Sequence, residues 1–191
     1  QFGIPVFEQA GFEADDLLGT IAAQLATPQQ QVIIASGDMD TLQCVKDESV
    51  VVFTLKKGIK DTILYNEQAV LDRFGFPPDF IPDYKGLRGD PSDNIPGVPG
   101  IGEKTASQLI QTFGSLESLY EQLAKGEDAF IEAGVKSRII ALLREHEEDA
   151  RFSKMLATIR TDVPVLVTLA DLSWRDAADP EALLVTVTEH G

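Results

Sequence analysis

Apolar residues recur at helical spacing from Leu17 and Leu18 through Ile21 and Ala22 to Leu25, predicting a helix over "FEADDLLGTIAAQLA" that Thr27 and Pro28 close. Ahead of it, "GIPVF" is a short apolar run that predicts a strand. "QVIIAS" is β-branched and bounded by Gly37, which predicts a buried parallel strand, with "DTLQCVK" as a short helix behind it. "SVVVFTL" and "KDTILY" flank Lys57-Gly58 like the arms of a hairpin. Asn66 stands where it caps a helix over "EQAVLDRFG", and Pro77-Pro78 breaks the chain before another short helical stretch.

From about residue 92 the pattern changes, and "EKTASQLIQTFG", "SLESLYEQLA" and "SRIIALLREHEEDARFSKMLATI" follow one another as helices. Only "VPVLVTL" and "ALLVTVTE" read as late strands. The reading is an α/β part carrying a helical part.

Composition narrows the class. At 191 residues, 43% hydrophobic and 25% charged, the chain is an ordinary globular protein with enough length for one good core. No run of about 18 apolar residues is present, which argues against a membrane span. The first residues lack the basic and apolar segments of a secretory signal, and the single Cys44 forms no internal disulfide, so a reducing cytoplasm is expected. A net charge of -15 opposes binding to a polyanion unless clustered acids are neutralised by metal.

The acids fall in three groups: Glu13, Asp15 and Asp16; Asp38 and Asp40; Asp90 and Asp93. Asp38 and Asp40 follow the strand "QVIIAS", and in a parallel α/β sheet the ligand crevice lies at the carboxyl ends of the strands. Any one group alone also fits a plain helix first turn or a tight turn. Together, unneutralised carboxylates at about 4 Å repel by a few kcal/mol per pair, and hard divalent cations such as magnesium or manganese relieve that cost. Zinc does not suit a chain with one cysteine and two histidines. His146 and His190 read as surface residues and Cys44 as a core thiol, so there is no nucleophilic triad. A two-metal site needs none.

"GVPGIGEKTA" offers backbone amides leading into a helix N-terminus, an arrangement that holds phosphate without reading bases. Lys104 and Thr105 lie in the first turn of that helix. It is neither a P-loop nor a Rossmann fingerprint, and a tight helix-helix turn without a ligand is the alternative.

"GFEADDLLGTIA", "SGDMDTLQ", "LRGDPSDNIPGVPGIGEKTA" and "FGSLESLYEQL" resemble, in order over about residues 4 to 180, the 5′-nuclease domain of bacterial DNA polymerase I, within the flap endonuclease family. The resemblance implies a PIN-like or Rossmann-like parallel sheet with a helix-three-turn-helix (helix-hairpin-helix) subdomain, divided as residues 1–86 and 87–191. It implies two magnesium or manganese ions held directly or through water by Glu13, Asp15, Asp16, Asp38, Asp40, Asp90 and Asp93, with Asp16, Asp38 and Asp40 as catalytic acids. It implies DNA contacts at Gly97, Val98, Gly100, Ile101, Gly102, Lys104 and Thr105, and potassium among the hairpin carbonyls. The implied partners are flapped, nicked or branched duplex DNA and a linked or separate polymerase.

Two departures stand out. Met39 occupies a position where the family usually has lysine, and the family's first strand, with its aspartate, and basic arch have no counterpart in the sequence. The chain is therefore expected to be the last two-thirds of the domain, with neighbouring sheet surface left apolar and exposed. The expected function is a metal-dependent structure-selective 5′ nuclease. A DNA-binding module without turnover is the alternative, and a phosphatase or RNase on a related scaffold would leave the hairpin unexplained.

Overall fold

The computed structural model describes residues 4–57 and 61–173. Helix α1 spans Ala14–Leu25, and its start is set by a reciprocal capping box in which the Glu13 N–H donates to the Asp16 carboxylate at 3.1 Å. Strand β1 (Val32–Ala35) runs parallel to β2 (Val50–Lys57), which pairs antiparallel with β3 (Asp61–Tyr65) in the order β1-β2-β3. The two arms predicted around Lys57-Gly58 thus pair as a hairpin. Helix α2 (Glu67–Phe74) begins where Asn66 Oδ1 accepts the Ala69 N–H at 3.0 Å.

Ile34, Val50, Val52 and Tyr65 turn one face of the sheet into the core beside Leu42, Val70 and Phe76. On the other face Ile33, Phe53, Leu55 and Leu64 are exposed. β1 is therefore not the fully buried strand that its composition predicts: Ile34 is 3% exposed and Ile33 56%. Among the described residues it is an edge strand, covered on one side.

Two predicted strands are absent for separate reasons. Ile4 to Phe7 carry no strand, and Ile4 and Val6 are exposed; Pro5 has no N–H to give a ladder. "VPVLVTL" turns at Pro164, where the Val165 N–H donates to the Val163 carbonyl at 2.7 Å, and is held by side chains of α1. Val163 N–H donates to Thr20 Oγ1 at 3.2 Å, Gln24 Nε2 donates to the Val165 carbonyl at 2.7 Å, and Val167 N–H donates to Gln24 Oε1 at 3.2 Å. Those bonds satisfy three backbone groups that a strand partner would otherwise take. "ALLVTVTE" and His190 lie outside the described residues.

The helical part comprises α3 (Ile81–Arg88), α4 (Glu103–Phe113), α5 (Leu116–Lys125), α6 (Asp128–Glu132), α7 (Ser137–Glu145) and α8 (Glu147–Ala157). The run expected as one long helix breaks at His146, where φ is -117° and ψ 29°. Glu147, Glu148 and Asp149 then supply the acids that a new helix start favours. α3 packs closely on α8. Gly86 permits it, since a Cβ there would lie 2.9 Å from the Ala150 carbonyl oxygen. Asp83, 2% exposed, ties three helices: it accepts the Leu116 N–H at 2.7 Å from α5 and the Lys154 ammonium at 2.7 Å from α8.

A candidate metal centre beside a glycine hairpin

At the carboxyl end of β1 the chain knots itself. Ser36 Oγ accepts the Asp38 N–H at 3.0 Å, Asp38 Oδ1 accepts the Asp40 N–H at 2.9 Å, and Thr41 Oγ1 donates to the Asp38 carbonyl at 2.6 Å. The knot opens the 3-10 helix Met39–Cys44 and fixes both acids at the strand end. Asp90 and Asp93 sit in an equally tight loop, where Asp90 and Ile95 exchange backbone hydrogen bonds at 2.8 Å in both directions. Ser92 N–H donates to Asp90 Oδ1 at 3.0 Å.

Folding brings these loops together. Asp40, Asp90 and Asp93 each place a carboxylate oxygen within 4.8 Å of the other two. Glu13, Asp15, Asp16, Asp40 and Asp93 line one cleft of about 480 Å³, closed along one side by Met155, Leu156 and Thr158 to Arg160. Asp16 also serves the fold, because its Oδ1 accepts the Arg160 N–H at 2.8 Å. Asp15 registers the crowding: burial first, then the charges of Asp38, Asp40, Glu13 and Asp16, raise its pKa to about 6. Structural and chemical readings of the first acid group therefore coexist, since its capping residues also wall the cleft.

The residue that sequence reasoning missed is Lys85. Its ammonium touches Asp40, lies 2.7 Å from Asp90 and 3.9 Å from Asp93, and the residue is only 6% exposed. Burial alone would raise Asp90, but hydrogen bonds from Lys85 and Ser92 outweigh it and bring the pKa down to about 2. Asp40 is raised, chiefly by burial, against the pull of the same lysine. A signal was present in "IPDYKGL", where a base and an acid stand inside a short helix whose residues Ile81 to Leu87 are all buried. A lysine is almost never buried without a partner.

The arrangement of three clustered carboxylate oxygens, with no sulfur or imidazole among them, suits a hard divalent cation. Cys44 takes no part: burial, then the charge of Asp15, pushes its thiol up to about 12. His146 sits on the surface paired with Asp149, Nδ1 to Oδ2 2.8 Å.

The hairpin is built from backbone. Gly97 N–H donates to the buried Ser153 Oγ at 2.9 Å, Val98 N–H to the Leu87 carbonyl at 2.8 Å, and Ile101 N–H to the Val98 carbonyl at 3.0 Å. Gly97 has φ +63°, and a Cβ there would lie 2.6 Å from Arg88 backbone. Val98 and Ile101 bury their side chains at 2% and 4% exposure. Three of the amides expected to face a ligand thus serve the fold, and the outward-facing part is the first turn of α4, where Gly102 is an N-cap without a side chain and Gly100, Gly102 and Lys104 are exposed.

Acids at the end of a parallel strand, joined to a helical unit led by a glycine hairpin, define a PIN-like α/β core with a SAM-like helical fold. The family model described as "5'-3' exonuclease, N-terminal resolvase-like domain" matches residues 1–75, and "5'-3' exonuclease, C-terminal SAM fold" matches residues 76–180. The chain belongs to this 5′-3′ exonuclease family.

Among curated relatives, it is 41% identical over 192 residues to DNA polymerase I of Bacillus caldotenax, covering 100% of this chain and 20% of the relative. It is 46% identical over 168 residues to DNA polymerase I of Chloroflexus aurantiacus, covering 87% and 17%. The chain thus spans about a fifth of the length of these relatives. A solved structure described as divalent metal ions (zinc) bound to T5 5'-exonuclease superposes with a TM-score of 0.66 at 24% identity, covering 90% of this chain and 60% of that one. A bacteriophage T5 flap endonuclease in a pseudo-enzyme-product complex with DNA and metal ions gives 0.65 at 22% identity, covering 96% and 61%. At these identities the likeness is one of fold. Among the described residues no helix is long and apolar enough to cross a membrane.

Proposed function

We propose that the chain is a magnesium- or manganese-dependent, structure-selective 5′-3′ exonuclease and flap endonuclease. It hydrolyses DNA phosphodiesters to 5′-phosphate and 3′-hydroxyl ends in primer removal and repair, alongside a linked or separate polymerase in a bacterial cytoplasm. The observation that carries this reading is the joining of an acid cluster and a backbone-built hairpin by one short helix, α3. Family membership supports it, as do the phage neighbours, one with divalent metal ions bound and one in complex with DNA and metal ions.

In this reading Asp16, Asp38 and Asp40 are the catalytic acids, and with Glu13, Asp15, Asp90 and Asp93 they hold two ions. When bound, divalent ions supply a low-pKa water and charge stabilisation for the leaving oxygen. The strand-end knot at Ser36 to Thr41 and the Asp90–Ile95 loop orient the carboxylates. The α4 first turn, with Gly100, Gly102, Lys104 and Thr105, holds duplex phosphates through backbone and ammonium; Gly97, Val98 and Ile101 shape it, and potassium at the hairpin carbonyls is part of the same reading. Residues 1–86 form the metal-binding core and 87–191 the DNA-binding part; the two family models divide ahead of α3, at 75/76.

The test is a 5′-flap duplex incubated with the chain in millimolar Mg²⁺ and in EDTA. Release of a 5′-labelled product only with Mg²⁺, lost by at least about a hundredfold in Asp38→Asn/Asp40→Asn, is expected. Tight flap binding with no cleavage at any Mg²⁺ concentration would select the DNA-binding module instead.

A further inference from the structure

We propose that the Lys85 ammonium is a tethered stand-in for a divalent ion: it holds Asp40, Asp90 and Asp93 together without metal and yields their oxygens when metal binds. This rests on the reading above that these acids are metal ligands.

The geometry supports competition. The ammonium touches Asp40 and is 2.7 Å from Asp90 and 3.9 Å from Asp93, the three acids whose oxygens converge within 4.8 Å. A magnesium ion held by these oxygens would need the same atoms that the ammonium pairs with, and two cations sharing them would repel strongly. The lysine's backbone is fixed, so only its side chain moves aside when metal takes the oxygens. Lys85 rises from the last turn of α3, a helix wedged against α8 at Gly86 and pinned to α5 and α8 by Asp83, so without metal the ammonium stays within reach of the cluster.

The chemistry explains why a base belongs there at all. Three carboxylates this close would spring apart when unpaired, and a buried lysine needs acids as much as they need it. With Lys85 in place the cluster carries three negative charges and one positive, so it stays assembled and still attracts a doubly charged ion. A purely structural brace makes the opposite prediction for metal, because removing a brace loosens the ligands and weakens binding.

The experiment is Mn²⁺ titration of the 191-residue chain, read by the loss of the free-ion paramagnetic resonance signal, with metal-free melting followed by circular dichroism. Lys85→Met should melt lower without metal yet take up its first Mn²⁺ about tenfold more tightly, the sign expected when a competing cation is removed. Lys85→Arg keeps the charge and should stay within about threefold of the parent. If metal-free Lys85→Met is unfolded, Mn²⁺ should refold it. Equal or weaker Mn²⁺ uptake by Lys85→Met, or failure to refold, overturns the proposal while leaving the metal reading intact. No Mn²⁺ uptake by either protein overturns both.

Discussion

The acid cleft and the cluster beside it draw on separated stretches, residues 13–16, 40, 85 and 90–93, whereas the hairpin is complete within residues 87 to 106 apart from one hydroxyl, Ser153. In the cleft the side chains matter and repel one another, so a cation has to hold them. In the hairpin the backbone matters: glycines and buried Val98 and Ile101 fix it with no charge involved. A site assembled from distant charges is sensitive to what binds it, and a local backbone site to what its glycines become.

Substitutions should separate the two. The largest effect is expected from Gly97→Val, which puts a side chain at positive φ and into Arg88 and Gly89 backbone. Urea unfolding should show a loss of about 3 kcal/mol or more, and flap binding should fall with it. Lys104→Glu is milder, since Lys104 is exposed: flap binding should weaken about tenfold and the salt dependence drop by about one unit of slope, while Mn²⁺ uptake stays unchanged. An unchanged salt slope would remove Lys104 from the interface.

The smallest effect concerns pH. Asp15 has its folded pKa raised to about 6, mainly by burial, above the ordinary 3.8. The folded state therefore holds a proton that the unfolded chain has lost, so the metal-free protein should lose stability as pH rises from about 4 through 6. Asp15→Asn should flatten that slope in melting curves taken without metal; an unaltered slope would place the titration elsewhere.

Helices α4 and α5, the α7–α8 run and the Asn66 cap were legible because they depend on local spacing and capping, whereas α6, five residues with one buried side chain, Phe130, is too short to show a period. The three acid groups were legible as groups, and the knot after β1 follows from Ser36, Asp38 and Thr41 being the turn-forming types found there. Lys85 was not, because its partners are 45 residues back in one case. Nor was the fate of "VPVLVTL": its composition is that of a strand, and only tertiary structure shows Thr20 and Gln24 standing in for a neighbouring strand. The break at His146 was half visible, with acids marking the second helix start but no glycine or proline marking the first helix end.

Lys85 reaches the acids from the same helix whose Leu87 carbonyl accepts the Val98 N–H of the hairpin. Two positions along a helix amount to an advance of about 3 Å. For the proposed nuclease, α3 is then a gauge: the spacing between acid cluster and hairpin is machined into the protein and indifferent to base sequence. Such an enzyme should cut at a set distance from where it grips the duplex, and its products should cluster at one length whatever the sequence of the flap.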